Sequence, residues 1–158
     1  MTVRRMLVTS GVAAAVALAL GGISLASAGS TQSAIQHQFV LKEVQTKSTF
    51  VSVSHTQSGG PGDEFIFHSK LLDRHGQRVG SIDAVCTLVF NNQAQCAATA
   101  TLPGGTLAAS ALSPMNGLTT KVAITGGTGK YLHASGQVIS VSKGPNSNIS
   151  TDTFNFTT

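Results

Sequence analysis

Between Gln38 and Phe156 the chain is cut into short segments in which apolar and polar residues alternate. "QFVLKEV", "TFVSVSHT", "EFIFHSKLL", "VGSIDAVCTLVF", "QCAATATL", "TLAASAL", "TKVAIT", "GQVISVS" and "TDTFNF" are the candidate strands. Gly, Pro, Asn and Asp separate them at intervals of roughly 8–12 residues, the spacing of a β-sandwich or barrel. No stretch keeps an apolar period of 3.6 residues between helix caps, and Thr, Ser and Gly interrupt the alanine-rich runs that would otherwise suggest a helix. The expectation is a single all-β domain.

Strict alternation marks a sheet with one buried face. In "EFIFHSKLL", Phe65, Phe67, Ser69 and Leu71 share one side, and Glu64, Ile66, His68, Lys70 and Leu72 the other. Ile82, Ala84, Cys86, Leu88 and Phe90 share a face of the next strand; Ala94, Cys96, Ala98, Ala100 and Leu102 share one on the strand after it. Four alanines on one inward face underfill a closed sheet. Either they leave room for a ligand, or large side chains from opposite strands take the space. A ligand pocket, if present, is expected to be walled by Phe65, Phe67, Ser69, Leu71, Ala84 and Ala98. Asp83 has the opposite parity to Cys86 and belongs on an outer or interface surface.

The first residues read as an export signal. Arg4 and Arg5 form a positive head, Met6–Leu25 is almost wholly apolar, and Ala26-Ser27-Ala28 is a small-x-small cleavage site. Residues 1–28 are therefore expected to be removed, 29–34 to be a flexible N-terminus, and 35–158 to form the domain. The arginines at 4 and 5 leave with the signal, so the 10 Lys+Arg of the whole chain fall to 8 against 6 Asp+Glu. With no Lys/Arg run, one Tyr and no Trp, the chain has no footprint for nucleic acid. No membrane contact is expected after cleavage, and the product should be secreted. The only cysteines, Cys86 and Cys96, lie in the exported part. With Asn91 at the centre of the intervening turn they fall opposite each other across a hairpin. A disulfide is the simplest reading, contributing about 2–3 kcal/mol for so short a loop.

"ITGGTGKYLHASGQV" poses a separate question, since a phosphate-binding loop also combines glycines with a lysine. Here Ile124 stands where that loop needs its first glycine, Tyr131 where it needs Ser or Thr, and a strand follows where it needs a helix. Gly126, Gly127 and Gly129 read instead as a tight corner where the backbone takes positive φ or approaches another strand closely.

This stretch resembles the dirigent signature, in which Gly-Gly-Thr-Gly is followed by a basic residue, an aromatic and a later glycine before the next strand. It is similar also to the allene oxide cyclase segment that ends in Gly-Gln-Val. "GDEFIFHSKLLDRHGQRVG" and "AVCTLV" extend the resemblance upstream, so that it covers most of Gly62 to Ser142. The resemblance implies an eight-stranded antiparallel β-barrel, usually a homotrimer, around an apolar cavity. Dirigent proteins guide stereoselective coupling of phenoxy radicals, and allene oxide cyclases close an unstable fatty-acid epoxide. Both shape a bound reactive molecule and exclude water, and no cofactor is expected. By the same resemblance Cys86 stands at a cavity cysteine, Phe65 at a cavity valine, and Ser69 at a polar residue of the site; Glu43 matches an early glutamate. Glu43 and Ser69 are thus the candidate catalytic groups, with Phe65, Phe67, Leu71, Ala84 and Ala98 as ligand-binding residues. The chain departs from the cyclase pattern in lacking a proline between Gln45 and Val51.

The remaining polar residues add no second chemistry. The histidines at 37, 55, 68, 75 and 133 lack metal-ligand spacing, so no metal is expected, and no hydrolase motif is present. Three functions stay open: a cofactor-free cyclase or coupling guide, a barrel that only binds an apolar molecule, and a structural barrel with a filled core.

Overall fold

A computed structural model describes residues 34–56 and 59–158; the expected signal over 1–28 and nearly all of the segment 29–34 lie outside the described residues. Eight strands follow one another: β1 Gln36–Val51, β2 Glu64–Leu72, β3 Arg78–Val89, β4 Gln93–Leu102, β5 Gly105–Pro114, β6 Thr119–Gly127, β7 Ser135–Ser142 and β8 Ile149–Thr157. Each pairs antiparallel with the next, and β8 returns to β1 to close the barrel. Closure leaves no sheet edge exposed. One 3₁₀ turn, Gly129–Tyr131, interrupts the meander, and none of the described residues forms a helix long and apolar enough to cross a membrane.

The segments "QFVLKEV" and "TFVSVSHT" prove to be parts of one strand. The β1–β2 register shifts between Gln45 and Lys47, a bulge that lets β1 bend around the barrel without ending. The strand stops at Val51, and the expected continuation through Thr56 is loop. That loop is held by the Asp63 carboxylate. It accepts hydrogen bonds from the backbone N–H groups of Val53 (2.6 Å), Ser54 (2.7 Å) and Gly60 (2.8 Å) and from the Ser54 hydroxyl (2.8 Å).

The β3–β4 hairpin turns where Asn91 and Asn92 adopt φ of 63° and 55°, a left-handed conformation asparagine tolerates. Its register sets Cys86 opposite Cys96, and the two are disulfide-bonded.

The packed core gathers at the end of the barrel carrying the β2–β3, β4–β5 and β6–β7 connections. Leu41, Leu71, Leu102, Leu107, Tyr131 and Phe156 are all buried there. The glycine stretch explains how this end closes. Gly127 runs so near the Thr106 and Tyr131 carbonyls that a Cβ would collide with both, and Gly129 needs φ of 60°. Thr128 N–H donates to Thr106 O and Lys130 N–H to Gly104 O, each at 2.9 Å. The corner thereby drops Tyr131 into the barrel end, edge-on to Phe156 with its hydroxyl donating to Pro103 O. Gly126 has neither constraint: its φ is ordinary and nothing lies within 4 Å of a Cβ built there.

Candidate functional site

Above the packed end the barrel encloses a chamber of about 280 Å³. The inward parity of each strand dictates its walls. Ala84, Ala98, Ala100, Ala109 and Ala111 from β3, β4 and β5, with the Cys86–Cys96 cystine, make a broad wall of small side chains. Phe67, Ile82, Val122, Ile124, Val138 and Phe154 continue the apolar lining. Across the chamber β1, β6, β7 and β8 also contribute polar groups: Glu43, Thr120, Ser140 and Asp152. In a closed ring of eight strands β4 stands across from β8, so the alanine wall faces the acid wall.

Asp152 is the centre of that polar side. It is almost wholly buried, and its Oδ1 accepts from the Ser140 hydroxyl at 2.7 Å. The Ser150 hydroxyl lies 2.9 Å from Asp152 Oδ1 and 3.1 Å from Glu43 Oε2, and its one proton serves either carboxyl in turn. Burial pushes the Asp152 carboxyl up from the usual 3.8 to about 7. The charge of Glu43 adds to the rise, and the Ser140 and Ser150 hydroxyls work against it. A carboxylic acid that keeps its proton to neutral pH, beside a second carboxylate in an apolar chamber, can give and take a proton at a bound molecule.

The chamber opens toward the β5–β6 and β7–β8 connections. Gln45, Phe65, Met115, Asn148 and Ile149 line its mouth. Phe65 tilts against Phe50 there, with ring centroids 4.8 Å apart.

The residues singled out in the sequence therefore separate by depth. Glu43, Phe67, Ala84 and Ala98 line the chamber. Phe65 stands at the mouth rather than on the inner wall. Ser69 and Leu71 face inward but lie below the chamber in the packed end, fully buried, and the Ser69 hydroxyl has no partner among the described residues. Alternation assigns a face; how far a chamber extends down that face depends on large side chains arriving from other strands. Asp83 points outward, its Oδ1 2.7 Å from His68 Nδ1 on the outer wall. Among the described residues no group of three His, Cys, Asp or Glu side chains is placed to hold a metal ion. No motif marks Asp152, Ser140 or Ser150, but Asp152 shares its parity with Phe154 and Phe156 in "TDTFNF", a charge on an otherwise apolar face.

Solved structures share this arrangement of strands. A pyocyanin demethylase superposes with a TM-score of 0.65 at 22% identity, over 75% of this chain and 99% of its own. An exo-specific intermolecular Diels-Alderase does so at 0.62 and 12%, over 78% of this chain and 99% of its own. A pterocarpan synthase dirigent protein gives 0.61 at 16%, over 78% of this chain and 89% of its own. The fold is the dirigent and allene oxide cyclase-like barrel. No family model matches the chain, and no curated protein matches its sequence. Within the dirigent-like barrel, the alanine wall and the paired carboxyls are features of this chain's own residues.

Proposed function

We propose that this chain is an exported barrel that takes an apolar small molecule into its chamber and guides its cyclisation or coupling, with Asp152 and Glu43 as the acid–base pair. The observation that carries the reading is a carboxyl pair set in the wall of an otherwise apolar chamber, one member holding its proton to about pH 7. A general acid works best when it titrates near the working pH. Ala84, Ala98, Ala109 and the cystine offer a flat surface against which a reactive molecule loses orientational freedom, and the packed end keeps bulk water away. The barrels named above as a Diels-Alderase and a pterocarpan synthase support a guiding role on this scaffold. Export is supported by the disulfide, which persists in oxidising compartments.

Binding of the neutral dye prodan, followed by its emission shift, tests the chamber. Wild type should bind it, and Ala98→Phe, which fills the chamber from the alanine wall, should bind at least about tenfold more weakly. His68→Ala on the outer wall should bind as wild type does. Ala111→Leu, a smaller intrusion, guards against misfolding of the phenylalanine variant. Equal binding by wild type and both filled variants, or loss of binding in His68→Ala alone, would place the ligand outside the barrel and overturn the reading.

A further inference from the structure

We propose that the chamber selects a compact apolar molecule carrying a positive charge or a basic nitrogen, and turns carboxylates away. The inference rests on the chamber being a ligand site, as proposed above, and specifies the charge of what enters. Every titratable side chain on its lining is acidic: β1 contributes Glu43 and β8 contributes Asp152. The strands packed beside them add only hydroxyls, Ser140 from β7, Thr120 from β6 and Ser113 from β5. Among the described residues no Lys, Arg or His lines the chamber or its mouth. Among the described residues neither carboxyl has a cationic partner; the one ion pair joins His68 and Asp83 outside.

Buried charges in folded proteins are as a rule paired. Here the serine hydroxyls satisfy Asp152 Oδ1 and reach Glu43 Oε2, but they bring no positive charge. The charge of Glu43 helps burial hold the Asp152 proton to about pH 7, and above that Asp152 adds a negative charge of its own. The chamber is negative in either state, and its apolar walls weaken screening of that charge. A bound cation supplies what the protein does not. A bound carboxylate adds a third acid to a space with no base, which raises its cost steeply. A neutral base gains from the other direction, since Asp152 can hand it a proton across a hydrogen bond and leave an ion pair.

A set of tricyclic aromatic probes of matched size tests this on the mature chain: N-methylacridinium, a fixed cation; acridine, a neutral base; and anthracene-9-carboxylate. At pH 8 the cation should bind at least about tenfold tighter than the carboxylate. Its affinity should rise between pH 6 and 8, as Asp152 loses its proton, and calorimetry in buffers of different ionisation heat should register proton release at pH 6.5. In the double variant Glu43→Gln, Asp152→Asn the preference should fall to near parity, while Asp83→Asn on the outer surface leaves it intact. Acridine bound by wild type should show the absorption spectrum of acridinium above the pH at which free acridine loses it. Anthracene-9-carboxylate binding as tightly as the cation, with prodan also bound, would overturn the charge preference and leave the chamber standing. Failure of prodan and all three probes to bind would instead remove the ligand site itself, and the inference with it.

Discussion

Ser69 carries a hydroxyl that is wholly shut from solvent and meets no hydrogen-bonding partner among the described residues. Leaving such a group unsatisfied costs about 1–3 kcal/mol. Alanine is nearly the same size, so Ser69→Ala should raise stability by about 1 kcal/mol, read as a higher urea midpoint with an unchanged slope. A loss of stability would show that the hydroxyl is satisfied in solution. The same residue shows the limits of reading a strand by parity. The period of two placed Phe65, Phe67, Ser69 and Leu71 on one inward face, and all four do turn inward. Their heights along the barrel, from mouth to floor, follow from Phe154, Phe156 and Tyr131 arriving from distant parts of the chain, which no local pattern encodes. Asp152 was open to the parity argument, because a charge in register with two phenylalanines must be inside or break the pattern. Its partner Glu43 is reached in sequence only through the family resemblance, and only the β1–β8 pairing brings Ser150 opposite it.

At the level of elements, the β6–β7 corner was legible in kind, since glycines without a phosphate-loop pattern leave a tight turn as the physical option. What it accomplishes was not legible: the turn seats Tyr131 as a stopper, a contact with the β4–β5 connection far away in sequence. Two of the three glycines are required by that geometry. Gly127→Val would drive a branched side chain into the Tyr131 and Thr106 carbonyls, and should cost on the order of 2–4 kcal/mol. Gly126→Ala, with open space around the added carbon, should stay within about 1 kcal/mol of wild type. Chemical denaturation of the two variants side by side checks this, and equal effects would mean that the corner does not hold the stopper in place. The β1 bulge was hidden for a related reason. A one-residue shift in register looks, in sequence, like a break between two strands.

For the whole molecule, two buried carboxyls set opposite dependences of stability on pH. Asp63 sits at the rim under its own loop. The Ser54 N–H first of all, then the Ser54 hydroxyl and the Val53 and Gly60 N–H groups, hold its carboxyl down at about 2, while burial pulls the other way. Because its folded value lies below the ordinary 3.8, its contribution is present above about pH 4 and is lost as pH falls through about 2. Asp152 behaves in reverse. Its folded value is raised, chiefly by burial, so its contribution is complete below about pH 4 and is lost as pH rises through about 7. Together these two groups place greatest stability at about pH 4, on the acid side of neutrality. Asp152→Asn keeps the shape and the serine contacts but cannot ionise. It should flatten the descent between about pH 4 and 7, and at pH 8 it should exceed wild type by on the order of 2 kcal/mol. Melting curves of the two proteins from pH 3 to 8 measure this directly. Superimposable curves above pH 5 would mean that Asp152 is ionised without penalty, and the acid assigned to the chamber would have no proton to give at neutral pH. Diverging curves would mean that the chain carries a destabilising acid in the wall of its chamber, a cost that folding alone gives no reason to keep.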